Sequence, residues 1–430
     1  MNPYAKMSSE LSTPQVMAQL TRLYGSRDGQ MVYQINRCKK VLTKHEKFFN
    51  TEGPVYWISA PGRVEIGGNH TDHNRGKVLA ASANLDILAA VSPRGDRTVN
   101  VRSDYDGYKP LTVDLNDLEA KPEEQGTTAA LIRGVAAKLH ELRHAVGGFD
   151  AVMTSGVPAG SGLSSSAALE VLLVAIFDRL YGDAQMDFVS QAKIGRYAEN
   201  VYFGKPSGLL DQMASAAGGL AMVDFRAEQP TVKPLSYDFE SKGYALVVVG
   251  TGGSHADLTA EYAAIPTEMK QVAAHFGKKY LREVMPDEFK AAVPALRREL
   301  SDRAIMRAAH FFRENTRVCH QMNALLRDDL PGFLREIRES GRSSFMYLQN
   351  VWCRPEDQSL SLALCMAEDM LGEEGACRIH GGGFAGTTLN FVPMHRLDAF
   401  VGQMNEAFGK DACHVLNIRP VGAYTLQIDA

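Results

Sequence analysis

Gly156-Val157-Pro158-Ala159-Gly160-Ser161-Gly162-Leu163-Ser164-Ser165-Ser166-Ala167-Ala168 joins two segments of opposite character. Before it, the run from Phe149 to Thr154 reads as a short strand. After it, Leu163, Ala167, Val171, Val174 and Ala175 recur at helical spacing, which predicts a buried helix. A strand that turns through glycines into a helix suits an anion. Gly156, Gly160 and Gly162 let the backbone approach a ligand with no Cβ in the way. The unpaired N–H groups and positive dipole end of the helix then face that ligand. The hydroxyls of Ser164, Ser165 and Ser166 add donors, and one of them can ligate Mg²⁺. From the loop alone two readings stand: a phosphate cradle, or a turn whose serines only cap the helix. The two common nucleotide fingerprints do not fit. No Gly-Lys-Ser/Thr follows, and Ser165 stands where Gly-x-Gly-x-x-Gly needs its third glycine.

Upstream of the loop, the first fifty residues are polar, with helical spacing in Val16, Leu20 and Leu23 and again in Ile35, Val41 and Leu42. They read as an N-terminal helical lead-in, residues 1–50. Val55-Tyr-Trp-Ile-Ser is strand-like and is expected to stop at Pro61-Gly62. Leu85–Val91 and Thr98–Arg102 follow as strands, with Pro93-Arg-Gly-Asp96 between them as a hairpin turn. Downstream, Gly219–Phe225 and Tyr244–Val249 read as strands, and a helix is expected near Gln191–Val201. The charged stretch Arg226–Lys242 marks a boundary, giving domains at 51–235 and 236–430. The second half holds a long amphipathic helix over Asp302–Leu326. It then alternates strand, glycine-rich turn, strand, helix and strand: Ala376–Ile379, Thr387–Val392, Leu397–Phe408 and Tyr424–Ile428. That order is α+β.

Bulk composition narrows the function classes. The 430 residues carry 46 basic and 50 acidic side chains and are 45% hydrophobic, as in a soluble globular protein of two domains. The small net charge of −4 gives no footprint for nucleic acid or a membrane surface. The longest apolar run, Val171–Phe177, falls far short of the ~20 residues that span a bilayer. The N-terminus lacks the apolar core of a signal peptide. Six cysteines are scattered without a Cys-x-x-Cys, so a cytoplasmic protein without disulfides is expected.

Three segments carry a family resemblance. GVPAGSGLSSSAALEV, beginning at Gly156, resembles the second motif of the GHMP kinases, which forms the ATP phosphate loop. HGGGFAGTTLNF (His380–Phe391) is similar to their glycine-rich third motif. APGRVEIGGNHTDHNRGKVL (Ala60–Leu79) resembles the galactokinase signature PGRVNLIGEHTDYNGGFVL. Two smaller matches accompany it: Gly208-Leu-Leu-Asp211-Gln212, and HADLTAEY at His255–Tyr262. Together these run from about residue 55 to the C-terminus.

The resemblance to the galactokinase family implies a two-domain GHMP kinase architecture with the active site in the interdomain cleft. It implies transfer of phosphate from ATP, with Mg²⁺, to the anomeric hydroxyl of D-galactose, giving α-D-galactose 1-phosphate. By the same resemblance Asp211 is the catalytic carboxylate and Arg63 its cationic neighbour. Asn69, His70, Asp72, Gly208 and Tyr262 would contact the sugar. Gly156, Gly160, Ser161, Gly162, Leu163, Ser164, Ser165, Ser166 and Ala167 would hold the nucleotide. Ser166 and Glu199 would ligate Mg²⁺. The implied partners are the sugar and ATP alone, with the chain a monomer.

The chain departs from the signature at Asn69 (usually Glu), His73 (usually Tyr), Glu65 (usually Asn) and Gly67 (usually aliphatic). The replaced glutamate contacts the six-position hydroxyl in galactokinases. Asn69 therefore raises galacturonate, or another galactose relative altered at that position, as an alternative substrate. A galactokinase-like sugar sensor without turnover is a further alternative. It fits less well, because Ser164-Ser-Ser-Ala-Ala168, Arg63 and Asp211 are intact.

Overall fold

A computed structural model describes residues 2–26, 29–105, 107–158, 162–253, 258–352, 354–384 and 386–428. Strands β1 (Tyr56–Gly67) and β2 (Lys77–Pro93) form a long antiparallel pair at its centre. β1 is buried along almost its whole length. Such a strand, covered on both faces, shows no alternation in sequence.

Pro61-Gly62 does not end β1 as expected. The strand runs through it with a register shift between Pro61 and Arg63, and a second shift between Glu65 and Gly67. A bulge absorbs the proline and re-aims the side chains that follow. A Cβ on Gly62 would lie 2.8 Å from the carbonyl oxygen of Leu163, and the Arg63 N–H donates to that same oxygen at 3.0 Å. The glycine-rich loop is thus pinned against the bulge.

The expected hairpin over residues 85–102 is also not formed. β3 (Thr98–Ser103) lies parallel to β5 (Phe149–Ser155), and β5 separates it from β2. The turn at Pro93 sends the chain past one strand position, which sequence turn signals cannot show. β4 (Leu111–Asp114) pairs with β3, while β6 (Leu220–Asp224) joins the other half of β2. The presumed boundary Arg226–Lys242 contains another strand, β7 (Thr231–Leu235), paired with β6. Pro234 within it fits an edge position.

A second antiparallel sheet has the order β11 (Cys413–Leu416), β8 (Tyr244–Gly250), β10 (Thr387–Pro393), β9 (Ala376–His380). The last strand, β12 (Tyr424–Thr425), returns to pair with β1. The helix Ser165–Tyr181 packs on β1 and β2 and is apolar on nearly all sides, as the sequence spacing predicts. The main apolar cluster includes residues of both sheets, from Val64 and Leu79 to Val248, Leu389 and Phe391.

The first fifty residues form the helices Pro3–Glu10, Pro14–Tyr24 and Gln30–Phe49. They are tied to the sheet by Asp86 of β2, whose side chain is fully buried. Its Oδ1 accepts from Arg37 at 2.9 Å, and its Oδ2 accepts from Tyr24 at 2.6 Å and Arg419 at 2.9 Å. One carboxylate therefore joins two N-terminal helices and the C-terminal segment to the central strand.

Candidate active site

The β1 bulge turns Arg63 toward the first turn of the helix Leu210–Ala217, which carries Asp211. Arg63 Nε donates to Asp211 Oδ1 at 2.8 Å, and Arg63 Nη1 donates to the Gly162 carbonyl. Ser164 Oγ donates to Asp211 Oδ2. Ser164 precedes the helix Ser165–Tyr181 in a left-handed conformation, φ +57°, and makes no side-chain cap bond. Its hydroxyl thus serves Asp211 rather than the helix end. The Arg63 side chain is 6% exposed and the Asp211 side chain 33%, so the carboxylate is the more accessible of the pair. Burial acts to raise the Asp211 pKa. The Arg63 charge and the bonds from Ser164 and Arg63 outweigh it and hold the carboxyl below its ordinary value. Asp211 is ionised at neutral pH.

Beside this pair lies a second acidic group. The expected helix near Gln191–Val201 is Phe188–Tyr197, continued by the wide π-turn Ala198–Phe203. Such turns cluster at functional sites because they redirect a side chain. Here the turn brings Glu199, 2% exposed, to the start of the helix Ser165–Tyr181. Ser166 Oγ donates to Glu199 Oε1 at 3.2 Å, and Gln212 Nε2 donates to Glu199 Oε2 at 2.8 Å. Gln212 Nε2 also reaches Glu170 Oε2 at 2.8 Å. Burial first, and then the Glu199 charge, push the Glu170 carboxyl well above its ordinary range, favouring its neutral form.

The loop after β1 carries His70 and Asp72. Nε2 of His70 donates to the Gly382 carbonyl at 2.9 Å, with the backbone at φ +56°. Burial and then the neighbouring His73 ring lower the His70 pKa to about 4, so the ring is neutral. Asp72 lies against Gly208: a Cβ there would overlap Asp72 Oδ2. Tyr262 Oη donates to the Gly383 carbonyl at 2.8 Å, and its ring meets Phe384 edge-on at 5.3 Å. The Gly381–Gly383 turn after β9 therefore receives donors from both His70 and Tyr262. Gly160, Ser161 and His255 lie outside the described residues. Gly162, Leu163, Ser165 and Ala167 fall along the loop end and helix start beside Asp211 and Glu199, whereas the Gly156 N–H, just after β5, donates to the Asp86 carbonyl at 2.8 Å.

Asn69 requires a correction. It is expected to touch the sugar, but it is fully buried. Its amide nitrogen donates to Glu65 Oε1 at 2.8 Å and the Gly381 carbonyl at 2.7 Å. Its amide oxygen accepts from Asn350 Nδ2 at 2.8 Å and Ser344 Oγ at 3.4 Å. Glu65 is itself paired with the enclosed Arg378 at 2.9 Å. Both hydrogens and both lone pairs of the amide are therefore engaged by protein. Asn69 and Glu65, two of the departures from the signature, form one buried unit that braces the loop from behind. The long helix Asp302–Leu326 braces it further, through His310 Nε2 to the Asn69 carbonyl at 3.0 Å and Glu314 Oε1 to the Gly68 N–H at 3.1 Å. Sequence reasoning missed this second layer, since His310, Glu314, Ser344, Asn350 and Arg378 meet the loop across sequence separations of 241 to 313 residues and carry no local motif.

Two family models match parts of the chain. Residues 43–93 match the family described as the galactokinase galactose-binding signature, and residues 130–219 match the GHMP kinases N terminal domain. A galactokinase of Glaesserella parasuis is 30% identical over 82% of this chain and 89% of its own length. One from Haemophilus influenzae is 32% identical over 80% and 87% respectively. Among solved structures, Lactococcus lactis galactokinase complexed with galactose superposes with a TM-score of 0.78. That match is at 23% identity and covers 89% of this chain and 98% of the other. Methanococcus jannaschii mevalonate kinase shares the fold at a TM-score of 0.60 and 14% identity, over 84% and 98% of the two chains.

Proposed function

Because the chain belongs to the galactokinase family, we propose that it phosphorylates the anomeric hydroxyl of D-galactose with ATP. The observation that carries the reading is the Arg63–Asp211–Ser164 contact, which joins the sugar signature to the phosphate loop in one bonded set. Asp211 receives or orients the proton of the attacking hydroxyl. Its low pKa makes it a weak base, so its work is chiefly to fix the hydroxyl in line with the phosphoryl group. Arg63 offsets the charge that builds on that group. The loop from Gly156 to Ala167 holds the phosphates at the helix start. His70, Asp72, Gly208 and Tyr262 shape the sugar pocket.

Mg²⁺ fits the donor set beside the loop. Ser166 and Glu199 supply two hard oxygens 3.2 Å apart, and no cluster of three His, Cys, Asp or Glu occurs among the described residues. That is the pattern for an ion carried in with phosphates rather than caged by protein. When bound, the ion neutralises phosphate charge. No helix among the described residues is long and apolar enough to cross a membrane.

Gly208 gives a direct check on the sugar side. Gly208→Ala would drive a methyl into the Asp72 carboxylate. A displacement of about 1 Å at a positioning group costs on the order of 10²-fold in rate. We expect kcat/KM for the sugar to fall by about that factor while the KM for ATP stays within about twofold. Equal losses for both substrates would instead show general disruption.

Galacturonate as substrate rested on Asn69 meeting the six-position group, and the burial of Asn69 removes that contact. Sugar-dependent ADP release with galactose, galacturonate, arabinose and N-acetylgalactosamine tests the choice. Galactose should give the highest kcat/KM. A preference for galacturonate would overturn the substrate, and absence of ADP release with every sugar would overturn the reaction.

A further inference from the structure

Lys205 lies at the mouth of the site, in the segment joining the π-turn to Gly208. Its Nζ is 3.0 Å from Glu199 Oε1, the oxygen that also accepts from Ser166. The Lys205 side chain is 58% exposed, against 2% for Glu199, so the ammonium reaches inward from solvent onto an enclosed carboxylate. Its backbone is fixed as well: the Lys205 N–H donates to the Glu199 carbonyl at 3.1 Å. Two residues on, Ser207 Oγ donates to Glu199 Oε2 at 2.5 Å and the Ser207 N–H donates to Asn200 Oδ1 at 2.8 Å. The segment is folded back onto Glu199 and Asn200, with a flexible four-carbon stem left at its edge.

The charges of the site show what that stem supplies. Asp211 and Glu199 are two carboxylates facing a region meant for a polyanion. Arg63 answers only one of them and is already bonded to Asp211 and Gly162. The glycine-rich loop, from Gly156 to Ala168, brings no lysine of its own. Without Lys205 the described wall would present net negative charge to incoming phosphates.

We infer that Lys205 is a nucleotide-positioning residue, held on Glu199 until ATP binds and then contacting the β- and γ-phosphate oxygens. Mg²⁺ held by Ser166 and Glu199 would compete with the ammonium for that carboxylate and leave Lys205 available to the phosphates. A lysine on a phosphate acts as a point charge with rotatable donors, which suits a group that must change partners. This inference rests on the ATP reading given above.

Calorimetry in the absence of sugar separates the two. The probes are Mg²⁺ with the β,γ-imido analogue of ATP, and AMP alone. Lys205→Met should weaken binding of the ATP analogue at least about tenfold and leave AMP and galactose affinity within about twofold. Lys205→Arg should restore most of the loss. Unchanged affinity for the ATP analogue in Lys205→Met overturns the role, as do equal losses for the analogue and AMP, which would mean a collapsed site. If the unsubstituted protein binds AMP and the ATP analogue equally well, no triphosphate contact exists and Lys205 has no such role. If it binds neither nucleotide, the ATP reading itself fails.

Discussion

Asp211→Asn lowers kcat by about 10²- to 10⁴-fold, the range for loss of a positioned acid–base group, while ATP affinity stays within about threefold. The amide keeps the shape of the carboxylate but not its charge. Arg63 then loses its anion, and Ser164 must turn its hydroxyl or accept a weaker bond. The sugar hydroxyl is left without the charged oxygen that fixes it in line with the phosphoryl group. ATP binding should survive because, on the proposed reading, the loop would hold phosphate chiefly through backbone N–H groups that Asp211 does not supply. The pH profile carries the same signature. Arg63 and Ser164 hold the Asp211 pKa below its ordinary value, so the ionised form persists down through pH of about 4. A fall in kcat at mildly acid pH must therefore come from another group. Steady-state kinetics between pH 5 and 8, with nucleotide binding measured separately, checks both points.

Asp86→Ala should be the most destabilising single change in the N-terminal half, at about 3–5 kcal/mol. The basis is the cost of removing one partner from a buried ion pair. It leaves Arg37 and Arg419 facing each other with no anion between them. Tyr24→Phe, which removes one hydrogen bond from the same carboxylate, should cost less, about 1.5–3 kcal/mol. Burial alone would raise the Asp86 pKa, but Arg37 and Arg419 bring it below the ordinary value. A carboxylate with a lowered folded pKa contributes stability that is present above its unfolded value of about 4 and is lost as pH falls through the folded value. The gap between wild type and Asp86→Ala should thus be full at pH 7 and shrink only below about pH 4. Urea unfolding at pH 7, 5 and 3 would show it. An equal gap at pH 7 and pH 3 would remove the ionic explanation.

The parts of the site that were legible in the sequence are those whose chemistry is local. The turn from strand into helix at Gly156–Ala168 announces itself through glycine, serine and helical spacing within thirteen residues. The helix Asp302–Leu326 keeps its period over twenty-five residues, and its sequence-derived limits coincide with those of the structure. Pro61-Gly62 misled because a bulge and a strand end use the same residues. Only the contact of Gly62 with Leu163 distinguishes them, and that contact spans about a hundred residues. The hairpin expected over residues 85–102 failed for a similar reason: β5, some fifty residues on, takes the place beside β2. Asn69 is the sharpest case. An asparagine in a sugar signature reads as a ligand contact until Glu65, Ser344, Asn350 and Gly381 are seen to claim its amide. Lys205 gave no signal at all, since a lone lysine before a proline matches no motif.

The central claim is phosphoryl transfer to the anomeric oxygen of galactose at the Arg63–Asp211 pair. Its most direct test is ³¹P and ¹H NMR of the product formed from D-galactose, ATP and Mg²⁺. The account predicts one product, α-D-galactose 1-phosphate, with its phosphorus coupled to the anomeric proton, and almost none of it from Asp211→Asn at the same time point. Phosphate found on another hydroxyl, or product formed at near wild-type rate by Asp211→Asn, would contradict it.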